Sequence, residues 1–169
     1  SEGIYVSMDD SPYSYEVLQA IVDSGWILKC TSVEEVHEAL NGANPVICKG
    51  SLSIKETDGD MKHRLILGCR VSGANDAVLK VERVLLPKCW DIVRDVMALR
   101  KGCKRGESIF LFVLDFRDAF YMLPLLPNER QYFTAYHGGK WYVWSRAAQG
   151  SLNGPNAFGR VAALTGRMT

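Results

Sequence analysis

Long hydrophobic runs are missing from this sequence. The longest unbroken apolar stretch is Ile109 to Leu114, far short of the ~18 to 20 residues that span a bilayer, so no membrane partner is expected. The opening SEGIYVSMDD lacks the basic start of a secretory leader, and Ser1 in place of Met reads as the edge of a piece cut from a longer chain. No C-x-x-C pair occurs among Cys30, Cys48, Cys69, Cys89 and Cys103. Their odd number and wide spacing argue against a disulfide framework and predict free thiols in a reducing, intracellular setting. The three histidines, His37, His63 and His137, form no zinc-ligand pattern with them. Internal repeats and low-complexity tracts are absent as well.

What is present suits one globular domain: 169 residues with 47% hydrophobic content. The net charge of +1 conceals an asymmetry. Residues 1–41 hold eight acids and a single base, Lys29, for a net of −7, and residues 42–169 carry +8. A basic segment of that size can collect polyanions, because each neutralised phosphate releases condensed counterions; a solvated basic face is the plainer alternative. The acidic residues 1–41 read as a separate helical segment, with the rest of the chain as a second unit.

Along the chain, Ser14–Ser24 has Val17, Leu18, Ile21 and Val22 at helical spacing before Gly25. Ser32 and Glu35 form a capping-box pattern that opens a short helix ending near Asn41-Gly42. A short strand is expected at Pro45–Lys49. A hairpin follows from Ser51–Lys55 and Lys62–Cys69 around a polar turn. Beyond Pro87, Cys89–Lys101 is an amphipathic helix on Ile92, Val93, Val96 and Leu99. Ser108–Asp115 is apolar on both faces and is expected to be the central, covered strand of a sheet. Gln131–Tyr136 and Lys140–Arg146 form a second hairpin across His137-Gly138-Gly139, and a terminal helix covers Asn156–Arg167. The order predicts an α+β fold, an antiparallel sheet packed by helices.

Two segments carry chemistry. In Leu114-Asp115-Phe116-Arg117-Asp118-Ala119-Phe120 an apolar stretch delivers a carboxylate at a tight turn. Such a carboxylate suits a divalent metal, or else caps the turn that follows. In Gln149-Gly-Ser-Leu-Asn-Gly-Pro-Asn-Ala-Phe158, glycines precede a helix start, which lets a backbone approach a ligand and favours anions. No Gly-Lys-Ser/Thr follows, so this is not a Walker loop.

Together these segments resemble the reverse transcriptases of retroelements and retroviruses. Leu114–Phe120 is similar to that family's first palm motif, Asp-x-x-Asp-Ala-aromatic after an apolar strand. Gln149–Phe158 is similar to the next motif, Gln-Gly-x-x-x-x-Pro-x-x-Phe. Lys62–Arg70 resembles the fingers strand Lys-x-Arg-hydrophobic-x-x-Asp-x-Arg, with Gly68 where the family commonly has Asp. Glu82–Pro87 and Asn128–Phe133 stand in the order expected of retrotransposon polymerases, and Gly73 or Asn75 loosely matches a downstream Asn. The resemblance covers residues 45–169.

It implies the fingers and part of the palm of a right-hand polymerase over residues 42–169. The implied activity is RNA-directed DNA synthesis from deoxynucleoside triphosphates on an RNA or DNA template–primer, with two Mg2+ ions in the complete enzyme. By position, Asp115 and the backbone carbonyl of Phe116 would hold the metal. Asp118 and Ala119 would offer N–H groups to the phosphates, and Phe120 would floor the sugar and exclude a 2′-hydroxyl. Arg64 and Lys55 would grip the triphosphate. Gln149 would lie near the sugar, with Gly150 and Pro155 against the template. The family's aromatic-x-Asp-Asp hairpin does not occur in these 169 residues, so the chain alone is expected to be inactive. The alternatives are a non-catalytic nucleic-acid-binding remnant, or an unrelated α+β domain whose Asp115 is only a cap.

Overall fold

The computed structural model describes residues 4–57, 59–79, 88–113 and 115–168, apart from the side chains of Thr57, Arg167 and Met168. Leu114, Asp58 and the whole Glu82–Pro87 motif lie outside the described residues. The elements are β1 (Ile4–Ser7), α1 (Ser14–Asp23), β2 (Ile27–Cys30), α2 (Val33–Ala39), β3 (Gly50–Thr57), β4 (Asp60–Leu67), α3 (Cys89–Gly102), β5 (Thr134–His137), β6 (Lys140–Trp144) and α4 (Gly154–Met168). Two 3-10 turns, Ala119–Met122 and Pro127–Tyr132, separate α3 from β5. The fold is α+β, as the element order predicts, with two three-stranded antiparallel sheets, β1-β3-β4 and β2-β6-β5.

The first sheet is built on the expected hairpin. Its register runs from Gly50↔Leu67 to Thr57↔Asp60, so Leu52, Leu65 and Leu67 share one face and are buried, while Lys55, Lys62 and Arg64 share the other and are exposed. In the second sheet Ile27, Tyr142, Trp144 and Ala135 face the main core with Leu18 and Ile21 of α1. Its reverse face puts Cys30 and Val143 under Val36 and Leu40 around α2. The β5–β6 turn is Gly138-Gly139, both at positive φ (57° and 74°), the backbone that a two-residue type I′ hairpin demands and that glycine adopts without a Cβ penalty. At α2, Glu35 N–H bonds Ser32 Oγ at 3.2 Å. The return reach of Glu35 goes one residue further than a capping box requires, its carboxylate accepting the Thr31 N–H at 2.6 Å.

Several expectations need correction. Residues 1–41 are not helical alone, since β1 pairs with β3 and β2 with β6, adding a strand to each sheet. Pro45–Lys49 contributes only a bridge, Ile47↔Thr134. The helix at Cys89 forms as expected, but none of its residues is buried. The stretch expected to be a covered central strand is not one: residues 108–113 and Asp115 are assigned to no strand, and Phe110 and Val113 are 88% and 87% exposed. Apolar composition makes burial favourable, but a strand also needs a neighbouring edge for its N–H and C=O groups. Among the described residues no strand supplies that edge. No described helix is long and apolar enough to cross a membrane.

Candidate functional site

The segment after Asp115 is shaped by one left-handed residue. Asp118 has φ 53° and ψ 37°, a conformation that aspartate tolerates better than most non-glycine residues, and it opens the 3-10 turn by accepting the Tyr121 N–H at 2.9 Å. Tyr121 is thereby directed into the core, where its ring stacks on Trp26 with centroids 4.5 Å apart and planes 10° from parallel. Burial, with a smaller contribution from the Asp118 charge, pushes the Tyr121 phenol up to about 12. Asp115 is exposed. Asp118 pairs with Arg117 at 3.4 Å, but Arg117 is 96% exposed, and such a surface pair contributes little. Among the described residues no acceptor takes the N–H of Asp118 or Ala119, leaving two adjacent donors at a turn of the kind that makes an anion nest.

The aromatic residues of this segment lie against the start of α4. Phe116 meets Phe158 edge-on, with centroids 5.2 Å apart. Phe120 lies over Gly154, where a Cβ would stand 2.5 Å from its Cε1 atom. Pro155 sits in the first turn of α4, where its missing N–H is not needed.

The glycine loop is fastened to the first sheet. Gln149 accepts the Leu67 N–H at 2.8 Å, and a Cβ on Gly150 would collide with the Leu67 carbonyl. Gly150 also has φ 108°, so both space and backbone conformation call for glycine there. Asn75 holds the loop from the other side. Its Nδ2 donates to the Gly150 carbonyl at 3.2 Å, and its Oδ1 accepts the Leu152 N–H at 3.0 Å.

Lys55 and Arg64 lie on the exposed face of that same sheet. Lys55 stands directly opposite Lys62, and Arg64 is next along β4 on that face. Asp60, at the hairpin tip, is the acid on this face of β4. Among the described residues none of the three bases has an ion-pair partner. Facing like charges repel by up to ~1 kcal/mol, a cost that a bound anion relieves. Arg64 is three residues from Leu67, about 10 Å of strand, and Lys62 and Lys55 are about 17 Å away, so Arg64 is the base nearer the glycine loop.

The structure therefore brings Phe116 and Phe120 against α4, and Gln149 and Gly150 against the end of β4. Lys55 stands further out along the hairpin. Two residues of these motifs, Lys62 and Asn75, were given no role by the sequence reading. Lys62 was legible from strand alternation with Arg64, and Asn75, loosely matched by motif, makes two hydrogen bonds to the loop. Asp115 and the Phe116 carbonyl are hard oxygen donors of the type Mg2+ accepts, and no group of three or more His, Cys, Asp or Glu among the described residues could hold a metal. Compared with known proteins, the chain matches no protein-family model, no curated protein and no solved structure.

Proposed function

We propose that this chain is the fingers and part of the palm of an intracellular RNA-directed DNA polymerase, of the retroelement type its motifs resemble. The observation that carries the reading is the convergence of three separately recognised segments. Asp115–Phe120 packs on α4 through Phe120 and Gly154, and the Gln149 loop that precedes α4 is bonded to Leu67, at the end of the strand bearing Arg64.

In this reading Arg64 grips the triphosphate through its planar fork, and Lys55 acts as a point charge further out. The open N–H groups of Asp118 and Ala119 receive phosphate oxygens. Phe120, braced by Gly154, floors the sugar and leaves no room for a 2′-hydroxyl. Gln149 lies beside the sugar, with Gly150 and Pro155 along the template. Asp115 and the Phe116 carbonyl are the protein donors for magnesium, an ion commonly held by one or two carboxylates together with water and phosphate oxygens. When bound, magnesium supplies charge neutralisation on the triphosphate and activation of the primer 3′-hydroxyl. After Asp118 the sequence holds one further carboxylate side chain, Glu129, and its carboxylate accepts the Leu126 N–H at 3.1 Å. The 169-residue chain by itself accordingly binds substrate but extends no primer.

The exposed bases Lys55, Lys62 and Arg64 on one face of the first sheet suit equally a second reading, a non-catalytic nucleic-acid-binding module. Fluorescence anisotropy with a labelled template–primer over a salt series, with and without deoxynucleotide and Mg2+, tests both. The polymerase reading expects salt-dependent binding that tightens with the cognate deoxynucleotide and Mg2+. It also expects Arg64→Ala to remove most of the tightening by deoxynucleotide while leaving the salt slope of template–primer binding unchanged, because Arg64 meets the triphosphate and not the nucleic-acid backbone. Binding indifferent to nucleotide and metal supports the second reading, and no binding contradicts both.

A further inference from the structure

At the foot of the β3–β4 hairpin lies a pair of thiols that polymerase chemistry does not use. The ladder register reaches Gly50↔Leu67, and the Gly68 N–H donates to the Lys49 carbonyl at 2.7 Å, carrying the pairing one step on. Continued one step past the last paired residues, the same register would face Cys48 with Cys69. Because Lys49 and Gly68 are joined by a hydrogen bond, that would be the alternate position, where facing Cα atoms of a regular ladder stand about 4.5 Å apart and side chains are closest. That spacing is inside the ~4.4 to 6.8 Å range a disulfide spans. The chain turns here, with Cys69 N–H donating to the Leu67 carbonyl at 2.9 Å, and Ser72 joins the two cysteines, its Oγ 3.1 Å from Cys48 Sγ and donating to the Cys69 carbonyl at 3.3 Å. Both residues are 1% exposed. Cys30 lies in the separate cluster around α2, and Cys89 and Cys103 stand at the two ends of α3.

The surroundings prepare one sulfur to attack. Ser72 Oγ lies 3.1 Å from Cys48 Sγ. The neighbouring Cys69 thiol, opposed by burial and aided by Ser72 and the Thr134 backbone, holds the Cys48 thiol down at about 7, while Cys69 is pushed up by Cys48 and by burial. Thiolate character at ambient pH is what exchange requires.

We propose that Cys48 and Cys69 are a modification site, forming a reversible intramolecular disulfide by exchange with a small disulfide such as oxidised glutathione. The Cys48 thiolate attacks one glutathione sulfur, breaking that S–S bond and releasing a glutathione thiolate. Cys69, once deprotonated, attacks the Cys48 sulfur of the mixed disulfide and releases the second glutathione thiolate. Two protein thiols are oxidised, one glutathione disulfide is reduced, and the two leaving thiolates take up the two protons. Access runs through opening of the segment 68–76, which is built of turns. The bond clamps the hairpin foot to the segment carrying Asn75, and so to Gly150 and Leu152.

The test equilibrates the native 169-residue protein over a series of reduced-to-oxidised glutathione ratios, followed by acid quench, alkylation and peptide mapping. The expected result is a Cys48–Cys69 linked peptide that grows with oxidation, disappears with dithiothreitol, and accompanies a reversible rise in Tm. A Cys89→Ser/Cys103→Ser variant should lose two hydrogens in mass and gain no glutathione. Cys48 and Cys69 both alkylated as free thiols at the most oxidising ratio, or either one held only as a glutathione adduct, would overturn the proposal.

Discussion

Phe120 rests on Gly154 so closely that any side chain at position 154 must displace both the ring and Ser151, whose Oγ would lie 2.7 Å from an added Cβ. This is the join between the turn that follows Asp115 and the helix that follows the glycine loop. Gly154→Ala should cost about 1 to 3 kcal/mol as an overpacking change, read as a lower urea midpoint at unchanged m. An unaltered midpoint would mean that the ring and helix are not in contact.

Asn75 is the second fastening. Asn75→Ala removes the bonds to Gly150 and Leu152, each worth roughly 0.5 to 1.5 kcal/mol. Amide exchange at Leu152 should then quicken by about tenfold or more, while β6 amides are unaffected. Equal exchange at Leu152 in variant and wild type would show that the loop holds without Asn75.

Tyr121 gives the fold an alkaline limit. Its folded-state pKa, raised by burial and then by Asp118, stands at about 12 against the ordinary 10. The fold thus favours the neutral phenol, and the stability so gained is complete below about pH 10 and is lost as pH rises towards about 12. The loss amounts to roughly 2 to 3 kcal/mol. Tyr121→Phe, which keeps the ring that stacks on Trp26, should flatten this alkaline decline in urea-unfolding stability. A decline identical in both proteins would assign it to other groups.

Much of the framework was legible because local signals agreed with the final contacts. Leu18 and Ile21 recur on one side of α1 and are buried, Ser32 caps α2, and Gly138-Gly139 dictates its own turn. The four-residue strands β1 and β2 were not legible, since what makes them strands is pairing with Ser51–Ile54 and Trp141–Trp144, far along the chain. Phe110–Val113 shows the converse. Its composition signals a need for cover, but cover depends on a partner edge that no single segment encodes. For the candidate site, residue types at motif spacing are what single out Asp115, Phe120, Gln149 and Gly150. The clamps by Leu67 and Asn75 depend on backbone geometry between segments 75 to 82 positions apart, which no local pattern carries.

The most direct test of the central claim is the magnesium dependence of deoxynucleoside triphosphate binding to the 169-residue chain on a template–primer, compared between wild type and Asp115→Asn. Asp115 is exposed, so the substitution leaves the fold intact by circular dichroism. Magnesium should tighten nucleotide binding to the wild type and have no effect on the variant. Magnesium dependence that is absent from the wild type, or equal in both proteins, would contradict the account.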